Sequence, residues 1–121
     1  MINEIIKISL IYFLSFTNKA INKIIYTKIS EIILKSNPES DLAPDYVKQY
    51  VRYGSSPRGA QAIVLSSKIN ALINGRYNVS YDDVKEMSKS ALRHRLILNF
   101  EAVTDGISEE EIINKITERQ P

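Results

Sequence analysis

Tyr53-Gly54-Ser55-Ser56-Pro57-Arg58-Gly59-Ala60-Gln61-Ala62 runs a glycine turn into the first turn of a helix and sets a cation at the end where cations are disfavoured. Ser56 has the side chain of a helix N-cap, and Pro57 suits the first helical position, where a missing N–H costs nothing. A helix start carries roughly half a positive charge, so Arg58 in its first turn is opposed by up to about 1 kcal/mol. Two readings follow. The free N–H groups and the guanidinium converge on an anion such as a phosphate, or an exposed arginine reaches a nearby carboxylate.

The helix opened by Pro57 is expected to extend to Asn74. Ala62, Leu65, Ile69 and Leu72 form its main apolar stripe, widened by Ile63 and Ile73. The stripe is expected to face the core, and Gly75 to close the helix. Upstream, Ile21, Ile25, Ile29 and Ile32 recur at helical spacing from Ala20 to Lys35, with Ile24, Ile33 and Leu34 broadening the face. Asn37-Pro38-Glu39 stops that helix, since a residue before proline is pushed out of helical geometry. A short helix beginning near Ala43-Pro44-Asp45 carries Tyr46, Val47, Tyr50 and Val51 on one face, and Gly54 is expected to end it in a left-handed conformation. Downstream, Ser80 and Asp83 spell a capping box, with Val79 and Val84 as its hydrophobic staple. The same grammar returns at Ser108 and Glu111, with Ile107 and Ile112. Glu109-Glu110-Glu111 is then a favourable first turn. The expected fold is all-α, a small bundle of four to five helices.

The composition is that of an ordinary globular domain: 121 residues, 44% hydrophobic and 25% charged. A formal charge of +2 is too small to imply nucleic acid. The helix after the Gly54 turn carries only Arg58 and Lys68, a poor surface for phosphates and bases. The chain has no cysteine and one histidine, which excludes disulfides and thiolate sites and argues against a histidine-rich metal site. Residues 1–18 include the apolar run Ile8 to Phe16. It is shorter than the roughly 18 residues a membrane span needs and is followed by no small-residue cleavage site, so a buried strand or helix is expected there. Residues 19–121 form the helical domain.

Gly54 and Gly59 have the spacing of the two glycines in G-x-x-x-x-G-K-[ST]. The lysine and hydroxyl residue that reach phosphate and magnesium are replaced by Ala60 and Gln61, so the chain by itself is not expected to hydrolyse ATP. In Leu92-Arg93-His94-Arg95-Leu96, helical spacing sends the three polar side chains in different directions. His94 has no acid or nucleophile partner in sequence and is read as a structural or interface residue.

Taken together, Tyr50 to Ala62, Gly75-Arg76-Tyr77-Asn78-Val79, Asp82-Asp83-Val84 and Leu92 to Leu96 resemble the C-terminal helical lid of MoxR-type AAA+ ATPases, over about Ile24 to Ile116. The resemblance implies a lid seated over nucleotide held by a preceding α/β core. It implies that Arg58 is the sensor 2 arginine contacting the γ-phosphate, with Ser56, Pro57 and Gly59 shaping its helix start. His94 and Arg95 match the family's His-Arg pair and imply lid packing or a subunit contact. ATP and magnesium would belong to the core, which is not in this sequence, and no metal site is expected here. The implied partners are an AAA+ core domain or homologous ATPase subunits in a ring. The implied setting is cytoplasmic, chaperone-like remodelling by a lid separated from its core. A helical protein-interaction module without catalysis is the alternative, motivated by the missing core and the apolar start.

Overall fold

The computed structural model describes residues 4, 5 and 23–118. The Ile8 to Phe16 run, and the buried element expected of it, lie outside the described residues.

The described chain holds α1 (Lys23–Ser36), α2 (Asp45–Tyr50), β1 (Val51–Tyr53), α3 (Pro57–Ile73), α4 (Tyr81–Leu92), β2 (Ile97–Leu98), α5 (Phe100–Asp105) and α6 (Glu109–Ile116). The all-α class therefore holds, with the short helix expected near Asp45 present and one further six-residue helix, Phe100–Asp105, and one small ribbon added to the expected bundle. Among the described residues, no helix is long and apolar enough to cross a membrane.

The isoleucine pattern of α1 makes it the central rod. Ile25, Ile29, Ile32, Ile33 and Leu34 are buried, and Ile24 is the exception, standing exposed. β-Branched side chains are slightly disfavoured in a helix. Burying this many of them, at about 1.5–3 kcal/mol each, outweighs that penalty. Val47, Ile63, Val64, Val84, Leu92, Ile112, Ile113 and Ile116 close around the rod.

The long helix α3 departs from expectation. Its buried face is Gly59, Ala60, Ile63, Val64, Ser67 and Ala71. Of the stripe expected to be core, Ile63 is buried and Ala62 half-buried, and the rest points outward: Leu65 is 60%, Ile69 49%, Leu72 61% and Ile73 77% exposed. Small residues on the inner face let α3 lie close to α4 and α1, and this close approach decided the orientation over side-chain size.

The second correction concerns Gly54. The short helix α2 ends at Tyr50, and Val51–Tyr53 pairs antiparallel with Ile97–Leu98 through a bulge. Gly54 follows the strand, and the left-handed glycines are Gly75 (φ 76°) and Gly106 (φ 71°). Asn99 fixes the ribbon to α5: its N–H donates to the Tyr50 carbonyl at 2.8 Å, while its Oδ1 caps α5 by accepting from the Ala102 N–H at 3.0 Å. The Tyr50 hydroxyl donates to Asp105 at 2.9 Å at the other end of the same helix.

Both expected cap sites form. Asp83 Oδ2 accepts from the Ser80 N–H at 2.9 Å, and Val79 and Val84 are both buried. Ser108 Oγ accepts from the Glu111 N–H at 3.2 Å. Ser108→Ala is expected to cost about 1 kcal/mol and Ser108→Gly only a few tenths, read as shifts in urea midpoint by circular dichroism. Equal losses for the two would mean that the hydroxyl does not cap α6.

Candidate functional site

The candidate site is built where the end of α1 meets the start of α3. Ser36 and Asn37, the last residue of α1 and the one after it, are buried although polar. Buried polar groups need partners, and these two find them in the loop that carries the glycine turn. Ser36 Oγ donates to the Ile33 carbonyl at 2.7 Å and accepts from the Ser55 N–H at 3.1 Å. Asn37 Nδ2 donates to the carbonyls of Ile33 at 2.8 Å and Ser55 at 3.1 Å. The loop is thereby latched to α1 on both sides of Ser55.

The glycines permit this approach. A Cβ on Gly54 would fall on the Ser36 carbonyl oxygen and within 2.7 Å of the Asn37 Cα. Gly54 is thus required by the closeness of two backbones and not by its own dihedral angles. A Cβ on Gly59 would collide with Ser55 Oγ and come within 3.0 Å of Leu92 at the end of α4. Gly59 therefore lets α3 begin hard against both the loop and α4.

Within that frame Ser56 is the N-cap and Pro57 the first helical residue. The Arg58 N–H donates to Ser56 Oγ at 3.3 Å and the Gly59 N–H to the Ser56 carbonyl at 2.9 Å. These first-turn amides are spent locally, so the anion-binding capacity of this helix start rests on the Arg58 side chain. Arg58 is exposed, and among the described residues no carboxylate forms an ion pair with it.

Beside this start lies a shallow groove lined by Asn37, Pro38, Glu39 and Arg52 to Pro57. Arg52 stacks its guanidinium over the Tyr53 ring, 5.3 Å from the centroid. His94 and Arg95 are exposed and line a second shallow depression with Ala62, Ser66, Ser90 and Ala91. Ala62 stands one helical turn beyond Arg58, so the chain-distant His-Arg pair borders the flank of the same helix. Arg95 turns its Nε–H back to the Ala91 carbonyl at 3.0 Å, which satisfies the end of α4. Among the described residues, no cluster of three or more acidic, histidine or cysteine side chains could hold a metal ion. Sequence reasoning missed the latch residues Ser36 and Ser55 and read Asn37 only as a helix stop. Their one signal is polarity placed directly at the end of an otherwise apolar helix.

The helical bundle and the Ser-Pro-Arg helix start are what the resemblance to an AAA+ lid implies. The chain belongs to the AAA lid domain family, whose model matches residues 45–116. It is 31% identical over 99 residues to the chaperone MoxR1 of Mycobacterium tuberculosis, covering 82% of this chain and 26% of that protein. It is also 31% identical over 98 residues to the protein YeaC of Bacillus subtilis, covering 70% of this chain and 31% of that one. Among solved structures, a candidate ATPase from Cytophaga hutchinsonii superposes with a TM-score of 0.77 at 30% identity, over 84% of this chain and 31% of that one. The lid is of the MoxR type. The chain spans about a quarter to a third of the length of these relatives.

Proposed function

We propose that this chain is the nucleotide-sensing lid of a MoxR-type AAA+ ATPase, acting with an AAA+ core in the cytoplasm to couple ATP state to remodelling of a protein client. The observation that carries this reading is the Arg58 guanidinium, exposed and without a carboxylate partner among the described residues, on a helix start fixed to α1 by Ser36, Asn37 and Ser55. A charge held on a rigid element and left unneutralised by its own domain is poised for an anion supplied from outside.

ATP and magnesium would be held by the core. This chain's contribution is the Arg58 guanidinium, placed where it can stabilise negative charge on the terminal phosphate as the bond to it breaks. The latch transmits the effect. Any pull on Arg58 acts on a turn bonded to the end of α1, so the bundle moves as one body. His94 and Arg95 are assigned to packing or subunit contact on the flank of α3.

The test is Arg58→Ala in the complete ATPase, with turnover measured at saturating ATP. A charged hydrogen bond is worth about 1.5–3 kcal/mol, so turnover should fall roughly 10- to 100-fold while folding stability stays unchanged. Turnover equal to that of the unaltered ATPase would remove the sensor assignment. The 121-residue chain alone should show no turnover in the same assay.

A further inference from the structure

The described elements sort into two groups that pack chiefly within themselves. One is the bundle, in which α3 lies on α4 and α1, and α6 on α4 and α1. The other is an arm made of α2, β1, β2 and α5, in which β1 pairs with β2 and α2 packs on both α5 and β1. The bundle is an apolar body, with seven residues of α1 and six of α3 buried. The arm has little of that kind. α2 buries only Val47, β1 only Val51 and α5 only Ala102, while neither residue of β2 is buried. Leu96, in the turn before β2, adds one more. The bonds that tie the arm together are polar and exposed: Gln49 Nε2 donates to Glu101 at 3.0 Å, the Tyr50 hydroxyl donates to Asp105 at 2.9 Å, and Asn99 donates to the backbone carbonyls of Gln49 and Tyr50. Few buried apolar contacts and water-accessible hydrogen bonds mark the part of a fold that opens first.

We propose that the arm is a separately opening unit, which comes away from the bundle as one piece while the latch at Ser55 stays closed. The boundary falls at Gly54. On one side of it Ser55 is buried and held by Ser36 and Asn37. The Gly54 backbone itself lies so close to the Ser36 carbonyl and the Asn37 Cα that no Cβ fits between them. On the other side Arg52 and Tyr53 are exposed. The arm leaves again through Gly106, which takes a left-handed φ of 71° with open space around it. A pull on the arm's outward residues, Tyr53, Ile97, Phe100 and Val103, is taken up between these two glycines before it reaches α3. One small domain thus combines a compliant element with a fixed Arg58 turn. The value of this for ATP sensing rests on the sensor reading, since it lets the arm follow a moving surface without displacing Arg58. The opening itself does not rest on it.

Amide hydrogen exchange on the full chain, followed residue by residue by NMR under native conditions without nucleotide, tests this. The Val51 N–H donates to the Val47 carbonyl and the Asn99 N–H to the Tyr50 carbonyl, so both report on the arm. Ser55 reports on the latch, and Val64 and Ser88 on the interiors of α3 and α4. Val51 and Asn99 are expected to share one opening constant, at least about tenfold larger than that of the other three. Asn99→Ala removes the α5 cap and the bond to Gln49. It should raise exchange at Val51 about 5- to 30-fold and leave Ser55, Val64 and Ser88 unchanged. Tyr50→Phe deletes only the bond to Asp105 and is the milder counterpart, with a rise at Val51 of about two- to tenfold. Exchange of Val51 and Asn99 at the rate of Val64 and Ser88 would make the arm part of the bundle and overturn the proposal. Ser55 opening together with the arm would overturn it equally. These outcomes are read without nucleotide and without Arg58→Ala, so the opening unit and the sensor assignment stand or fall separately.

Discussion

Gly54→Ala is expected to destabilise the domain by about 3–5 kcal/mol, a large share of the 5–15 kcal/mol that holds a typical domain together. The added Cβ has no flexible side chain to displace. It meets the carbonyl of Ser36 and the Cα of Asn37, both fixed by the end of α1. Overpacking of this kind costs about 1–3 kcal/mol. Relieving it by moving the loop breaks the Ser55 N–H to Ser36 Oγ bond and the Asn37 to Ser55 carbonyl bond. Buried groups left unpaired then add about 1–3 kcal/mol each. Gly75→Ala is the comparator. Its φ of 76° strains a side chain, yet a Cβ there meets nothing within 4 Å, so the expected cost is only about 1–2 kcal/mol. Urea unfolding followed by circular dichroism ranks the two. A Gly54→Ala protein no less stable than Gly75→Ala would show that the loop stands away from α1.

This loop also shows what a sequence can and cannot disclose. Helix starts were legible at Ser56-Pro57, Ser80 and Ser108, because a cap is a local transaction between residues two or three apart. The lid class was legible because four separated motifs kept their order. The face of α3 was not. Leu65, Ile69 and Leu72 have helical spacing and aliphatic bulk, the ordinary signature of a buried stripe, and Ala60, Ile63, Val64 and Ala71 have the same spacing on the opposite side with less bulk in sum. Which side turns inward depends on how closely α4 and α1 approach, and that is a property of the assembled bundle. The β1–β2 ribbon was hidden for a similar reason, since three residues and two residues become strands only when the chain brings them together. Gly54 reads in the sequence as a left-handed helix end, whereas the structure requires a glycine there because the backbone approaches a helix 18 residues upstream, Ser36 to Gly54.

The same distinction gives Arg58 its meaning. Ser56 uses the amides of the first turn, so the cation is opposed by the helix dipole and unrelieved by any carboxylate of the described chain. The domain accepts that small cost on a rigid start, beside an apolar face it also leaves uncovered.

Asp83 carries the second large expectation. The residue is 1% exposed, and it is the hub of the α3–α4 connection. Its carboxylate accepts two bonds from the Arg76 guanidinium at 2.9 and 2.7 Å, one from Asn70 of α3 at 2.9 Å, and two from Ser80, at 2.9 Å from the N–H and 3.1 Å from the hydroxyl. Burial pushes its carboxyl up, but these bonds together outweigh burial and hold it at about 2, against an ordinary 3.8. Asp83→Ala removes the capping box, strips Ser80 of its acceptor and leaves Asn70 only its longer bond to Glu86 at 3.3 Å. Arg76, whose side chain is 44% exposed, can turn to water, so the loss is expected at about 3 kcal/mol and not the full 3–5 kcal/mol of a broken buried pair. Because the folded carboxyl releases its proton more readily than the unfolded one, its contribution is fully present above about pH 4 and disappears as pH falls through about 2. That contribution is about 2 kcal/mol. Asp83→Asn keeps the shape and cannot titrate, so its stability between pH 5 and pH 2 should fall by about 2 kcal/mol less than that of the unaltered chain, the other carboxylates cancelling between the two. Parallel stability curves over this range would mean that Asp83 does not hold its charge against Arg76.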